Sequence, residues 1–366
     1  MQTPTKELFE LSSVQKDIYF DQILNAPESG YNIAGYLDIH GAVDSSLLQQ
    51  ALHLLISRHD NLRTVFTAQP TEAIPIKQFI LTEYQPPLKV IDLSEIKEAR
   101  QAAADWMLSH VKRPFTLHEK PLFDVHLLKL GSHHHQLLFK LHHLITDAWT
   151  NNLISTGLSD IYTALARGEQ PELPATSYLN FIKKENEYFA SEDYERDKKY
   201  WQETFSVDHE PMVPKYKISA ASNEFDKEYT LTLPRSLYEQ MAMVAKENKG
   251  SIFHAFLAVF YGYFRLYKNQ QNIAFGMPVL NRANAALRKI PGMMMSVIAT
   301  AMDYQDSLGL AEITTQIART LKSDYRHQRF PLRELTTVTG AKPYDVIVSY
   351  ERFEQSLKEG ANKSKM

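Results

Sequence analysis

The sequence predicts a mixed α/β protein of two lobes, and three observations lead there. The chain has 366 residues, more than one ordinary hydrophobic core serves and enough for two. Apolar residues recur with the helical period in some stretches and alternate in others, in both halves of the chain. Residues 167–178, RGEQPELPATSY, carry two prolines and a glycine and read as the crossing between lobes. That boundary gives an N-terminal lobe over 1–175 and a C-terminal lobe over 176–366.

The first clear helix lies in SSLLQQALHLLISRHDNLRTVF (45–66), where Leu47, Leu48, Ala51, Leu54 and Leu55 share one face behind a serine cap candidate. PLFDVHLLKL (121–130) and HHHQLLFKLHH (133–143) are short apolar strands joined at Gly131-Ser132 as a two-residue hairpin. Strict alternation along the second would put Leu137, Phe139, Leu141 and His143 on one face, with Lys140 and His142 on the other. AWTNNLISTGLSDIYTALARG then has helical spacing and a closing glycine, so LHHLITDAWT (141–150) occupies a strand-to-helix turn. NFIKKENEYFASEDYERDKKYWQETF reads as a charged helix studded with aromatics. In the second lobe NIAFGMPV and PYDVIVSY read as strands, and SIFHAFLAVFYGYFRLY as a buried helix.

Composition excludes several classes. Hydrophobic residues make up 44% and charged residues 23%, with a formal net charge of -3. A nucleic-acid binder carries a basic excess, which this chain lacks. The chain has no cysteine, which excludes disulfides, thiolate metal sites and a cysteine nucleophile and fits a reducing compartment. The N-terminus, MQTPTKELFELSS, lacks a signal-peptide pattern, and no run of eighteen apolar residues follows. The expectation is a cytoplasmic protein that binds neither nucleic acid nor membrane.

Six histidines fall between 126 and 143: His126, His133, His134, His135, His142 and His143. Such density raises a metal site as one reading, but ligands must converge in space, and His133 to His135 flank a turn, where a surface position is expected. For His142 and His143 two readings stand. In one, a strand ends with one imidazole inside and one outside, and Asp147 caps the following helix. In the other, a neutral imidazole, with an ordinary pKa of about 6.5, serves as a proton acceptor near pH 7 for a nucleophile attacking a thioester.

HHLITDAWT resembles the HHxxxDG motif of nonribosomal peptide synthetase condensation domains, and four further blocks resemble that family in the same order. LSSVQKDIYF is similar to the family's SxAQxRLW-type opening helix through Ser12, Gln15 and Tyr19, with Asp17 in place of arginine. The stretch ending in RHDNLRTVF is similar to RHExLRTxF through His59, Leu62 and Arg63. YWQETF (200–205) resembles the family's YW pair, and FGMPVLNRANAALRKIPGMMMSVIAT resembles its GxPxxxR segment and following IGxFVNT strand. The likeness runs from about residue 8 to about residue 355.

The resemblance implies two chloramphenicol-acetyltransferase-like lobes in a V-shaped arrangement, with the motif in the tunnel between them. It implies an acyltransferase that forms an amide bond between a carrier-tethered acyl or peptidyl thioester and an aminoacyl amine. His143 is then the catalytic candidate and His142 a structural one. Asp147 pairs with Arg282 across the lobes, and Arg63 is a supporting residue. No metal and no bound cofactor is required, because both substrates ride on phosphopantetheine arms. The implied partners are upstream and downstream carrier proteins and the adenylation domain of the same assembly line. YNIAGYLDIHG and IPGMMMSV look closest to starter-type members.

The sequence departs from the family in three places. Ala148 replaces the motif glycine and Trp149 the small residue after it, which would narrow a substrate tunnel. Ser296 stands where the family has asparagine. The lysine-rich end reads as a solvated tail short of the family's closing segment, so the second lobe is expected to be incomplete. These departures leave two alternatives: a docking module of the same fold without amide-forming activity, and an acyltransferase to a hydroxyl or free amine.

Overall fold

The computed structural model describes residues 7–24, 29–67, 76–118, 120–172, 174–206, 212–213, 229–268, 272–304, 307–340, 342–351 and 364–365. The chain divides into two compact units, and the division differs from the expected cut at residue 175. The first unit runs through Phe189 and takes back Arg282–Met295 and the C-terminal residues, while the second holds Ala190–Asn281 and Ser296–Phe353. A linear boundary signal such as the proline-rich 167–178 cannot reveal a segment that returns a hundred residues later.

The first unit begins with α1 (Ser13–Leu24), β1 (Asn32–His40) and α2 (Ser45–Arg58). The cap of α2 is Asp44, whose carboxylate accepts the amides of Ser46 and Leu47, not the expected serine; a carboxylate there also faces the positive end of the helix dipole. β2 (Thr64–Phe66), β3 (Gln78–Ile80) and β4 (Lys89–Asp92) precede α3 (Ala99–Val111), followed by β5 (Phe123–Gly131), β6 (His134–His142), α4 (Ala148–Ala166) and α5 (Leu179–Phe189). The hairpin turn is one residue later than predicted, at Ser132-His133, because Gly131 stays in β5 next to a register irregularity.

The central sheet has the order β4-β5-β6-β1, with β4 parallel to β5 and the other pairs antiparallel. Both faces are covered. Val125, Leu127, Leu137, Phe139 and Leu141 join α2 and α4 in one core, while Leu128, Leu130 and Leu138 meet Ala103 and Met107 of α3 in another. Two-sided burial explains the near-continuous apolar run in β6. It also corrects the reading of the His133 to His135 turn as surface. His133 is exposed, but His135 is buried and His134 half-buried against Asp38, its Nε2 2.7 Å from the carboxylate.

In the second unit the predicted charged helix is two helices, α5 ending the first unit and α6 (Glu192–Thr204) opening the second, broken at Ala190-Ser191. α7 (Arg235–Glu247), α8 (Ile252–Lys268), β7 (Ile273–Val279), β8 (Ser296–Met302), α9 (Leu310–Asp324) and α10 (Leu332–Thr339) complete it. β7 and β8 pair from Ile273 opposite Met302 to Val279 opposite Ser296. The YW pair anchors α6: Trp201 is buried and donates to the His327 carbonyl at 3.1 Å, and the Tyr200 hydroxyl donates to Asp324 at 2.6 Å.

Two expectations about this unit change. PYDVIVSY is not a strand; it makes one isolated bridge, Ile347 to Gly276. A side chain at Gly276 would place its Cβ 2.5 Å from the Tyr344 ring, so the family's GxP glycine here permits close approach of that segment. α8 is not buried all round; Val259, Phe260, Tyr263, Leu266 and Tyr267 are exposed, since an apolar helix buries only the side that finds a partner.

A final short strand, β9 (Ser364–Lys365), pairs with Tyr36 and Leu37 of β1; the rest of the expected lysine-rich solvated tail lies outside the described residues. Among the described residues no helix is long and apolar enough to cross a membrane.

Candidate active site

β6 ends at His142, and His143 opens the turn that leads into α4. The direction of the His143 side chain is therefore set by the turn and not by strand alternation. The turn is held carbonyl by carbonyl. Gln15 Nε2 donates to the Leu144 carbonyl at 3.0 Å, Asn61 Nδ2 to that of Ile145 at 3.1 Å, and His143 Nδ1 to that of Thr146 at 2.9 Å. The His143 amide donates to the Tyr31 carbonyl at 2.9 Å, and the Tyr31 ring stands edge-on to the imidazole with centroids 6.0 Å apart.

These contacts decide the tautomer. A carbonyl only accepts, so Nδ1 of His143 carries the proton and Nε2 keeps its lone pair. Burial lowers the pKa of His143, against an opposing pull from the Thr146 carbonyl and the charge of Asp147, and the ring is neutral at pH 7. It is half-buried, which leaves an approach to it.

His142 has the opposite arrangement. Its Nδ1 accepts the Leu144 amide at 3.1 Å, so its proton sits on Nε2, 3.2 Å from the Gln22 side-chain oxygen. It is fully buried, and burial lowers its pKa to about 3. A histidine depressed in the folded state leaves the unfolded chain the better proton acceptor, so its contribution to stability is complete above pH 6.5 and is lost as pH falls toward 3. Between pH 6.5 and 5 that loss amounts to about 2 kcal/mol. Urea unfolding at pH 7 and pH 5 should show a steeper decline for the native chain than for His142→Asn; equal declines would remove His142 as the cause.

Asp147 caps α4 and pairs with Arg282 at once. Its Oδ1 accepts the Thr150 amide at 2.8 Å and Arg282 Nη2 at 3.1 Å; its Oδ2 accepts Arg282 Nη1 at 2.7 Å and the amides of Met294 and Met295 at 3.0 and 3.2 Å. Both side chains are fully buried. Five donors fill the carboxylate, and its geometry is that of a bidentate, backbone-supported pair. Both residues belong to the first unit, so the pair ties a returning segment into that unit, where the sequence reading had it bridge two lobes.

Thr150 and Gly292 complete the cluster. The Thr150 hydroxyl donates to the Gly292 carbonyl and accepts the Gly292 amide, both at 2.9 Å, and also accepts Arg282 Nη2 at 3.1 Å. Gly292 has φ +150°, and a Cβ there would lie 2.1 Å from the ring of Tyr178. Tyr178 is fixed by its hydroxyl on Ser12 and the Met293 carbonyl and by its amide on Asp60. Gly292→Ala is expected to cost about 3 kcal/mol or more, read by urea denaturation; a loss below about 1 kcal/mol would show that the loop can move aside.

The structure thus gathers His142, His143, Asp147 and Arg282 around one turn. Ala148 is exposed at the start of α4, and Trp149 donates its indole to the Arg288 carbonyl at 2.8 Å. Arg63 is elsewhere: it donates to the carbonyls of Ile56, Leu81 and Thr82, joining the end of α2 to the residues after β3. Ser296 opens β8 in the second unit. Sequence reasoning missed Asn61, Tyr31, Thr150, Tyr178 and Gly292 as parts of this arrangement. Only Thr150 left a signal, three residues after a cap aspartate.

Known proteins are similar to this chain in sequence and fold. The chain is 27% identical over 331 residues to one of the plipastatin synthase proteins of Bacillus subtilis, covering 89% of this chain and 13% of that protein. It is 27% identical over 333 residues to a dimodular nonribosomal peptide synthase of the same organism, covering 90% of this chain and 14% of that one. The chain therefore spans about one seventh of these relatives. Among solved structures, the first condensation domain of the calcium-dependent antibiotic synthetase matches with a TM-score of 0.81 at 21% identity, over 98% of this chain and 85% of that one. The starter condensation domain of rhizomide synthetase matches with a TM-score of 0.79 at 25% identity, over 98% and 83%. The family model for the condensation domain matches residues 5–365, nearly the whole chain, and this protein belongs to the condensation-domain family, whose members are acyltransferases that form amide bonds in nonribosomal peptide assembly.

Proposed function

We propose that this chain joins an acyl or peptidyl thioester to an aminoacyl amine, with His143 at the reacting atoms. The amine nitrogen bonds to the thioester carbonyl carbon, the C–S bond breaks, and one amine proton passes to the departing thiolate. His143 Nε2 is the group that takes and returns that proton, or holds the amine through it. The observation that carries this reading is the bond from His143 Nδ1 to the Thr146 carbonyl, which leaves a neutral imidazole with its lone pair on Nε2.

His142, Asp147, Arg282 and Arg63 are supporting residues in this reading: the first three hold the turn that carries His143, and Arg63 stiffens the end of α2. Ala148 and Trp149 follow the motif aspartate directly and border the substrate path. Both substrates arrive on phosphopantetheine arms of upstream and downstream carrier proteins, the acceptor loaded by an adenylation domain. Holding two tethered reactants in place supplies much of the rate.

The test is mass spectrometry of products after the chain, or its His143→Ala form, meets acyl and aminoacyl thioesters on pantetheine or carrier protein. Amide that forms only with the native chain supports the proposal. Carrier binding by both forms without product from either would favour the docking module, and ester product that depends on His143 would favour transfer to a hydroxyl.

A further inference from the structure

A second cluster of chemistry-bearing side chains, none of them part of the HHxxxD motif, lies in the first unit. His110 sits in the last turn of α3, and Asp124 and His126 lie two apart on β5, hence on the same side of the strand. His110 Nε2 is 3.0 Å from Asp124 Oδ2, and His126 Nδ1 is 3.6 Å from Asp124 Oδ1. Ligand atoms from all three residues lie within 4.8 Å of one another.

Two observations separate this cluster from an ordinary hydrogen-bond network. His126 is 3% exposed and its Nδ1 has no hydrogen-bond partner; His110 is 9% exposed and its Nδ1 has none either. A buried nitrogen without a partner costs about 1 to 3 kcal/mol, and that of His126, which stands beside the Asp124 carboxylate, calls for a missing partner. The His126 to Asp124 separation is also too long for a good hydrogen bond but suits two ligands of one ion. Metal bonds of about 2.0 to 2.1 Å place tetrahedral ligand atoms roughly 3.3 Å apart, and 3.0 and 3.6 Å bracket that value.

We propose that His110, Asp124 and His126 hold a divalent transition-metal ion, zinc by ligand type, which clamps α3 onto β5. Two imidazoles and a carboxylate form a set that zinc accepts, with a fourth position left for water. Asp124, half-buried, supplies the opening to solvent. The Trp106 indole stacks on the His110 ring, planes 7° apart and centroids 4.8 Å apart, and so orients it in advance. Ligation by His110 Nε2 requires the proton now shared with Asp124 to move to Nδ1, with no net release from that ring.

Cations already face the cluster. Lys89 Nζ lies 3.4 Å from Asp124 Oδ1, and Lys140 Nζ is bound to the carbonyls of His110 and Arg113. Lys89 is exposed and can yield its place on the carboxylate; the Lys140 ammonium is directed onto the helix-terminal carbonyls it caps. Burial lowers the pKa of both histidines, so both are neutral and able to ligate near pH 7. The sequence reading required no metal, and the proposal departs from it at residues that reading did not place together.

The test is calorimetric titration of the chelator-treated full chain with Zn²⁺, with Co²⁺ in parallel for its visible absorption. One equivalent is expected in the native chain, with a rise in Tm and cobalt bands of tetrahedral type. Asp124→Asn should lower affinity about tenfold or more while keeping the far-ultraviolet circular dichroism of the native chain. Asp38, His40 and His134 form the other candidate cluster among the described residues, so a His40→Ala/His134→Ala double variant should still bind one equivalent. The proposal is overturned if the native chain takes up no Zn²⁺, if Asp124→Asn binds as tightly as the native chain, or if the double variant loses the site.

Discussion

His143→Ala is expected to lower the rate of amide formation by about 10²- to 10⁴-fold, the range that a positioned acid/base group supplies, while Tm changes little. The imidazole makes one side-chain hydrogen bond, to the carbonyl three residues on, and it is only half-buried, so its removal leaves no orphaned charge. Residual product would come from the positioning of two tethered substrates. The pH profile of kcat/KM supplies a second check. Burial lowers the pKa of His143 below its ordinary value, so activity should stay level through neutral pH and decline only on the acid side of the usual histidine range. A variant that keeps native turnover, or a profile that breaks above pH 7, would remove His143 from the chemistry.

Asp147→Asn should show the reverse balance: a large loss of stability, on the order of 3 to 5 kcal/mol, with activity lost as a consequence. The amide cannot match a carboxylate that takes two guanidinium bonds and three backbone amides, and it leaves Arg282 charged in a site with no exposure. Urea unfolding of the two variants side by side is the measurement. If Asp147→Asn were no less stable than His143→Ala, the aspartate would have to act on substrate directly, and the reading of the loop as a clamped structure would fail.

Much of the site could be read in the sequence because its information is local. The apolar run ending in two histidines, the aspartate four residues on and the helical period after it place a strand, a turn and a capped helix, and the α2 and α4 faces follow from spacing alone. The motif blocks add the family, since blocks in order over most of the chain carry more than any one of them. What composition and spacing missed is long-range. Nothing in RGEQPELPATSY shows that the first unit closes only when Arg282–Met295 returns to it, and alternation along β6 assigned His143 to a face that the turn then decided.

Arg63 shows the same limit from the other side: a charged residue beside a motif can serve a helix end instead of the site. The sequence by itself therefore determined the fold class, the family and the four residues around the turn. Only the tertiary structure decided which nitrogen of His143 keeps its lone pair, that Asp147 is saturated, and that His110 meets His126, because each depends on hydrogen-bond partners separated by far more chain than any local pattern spans.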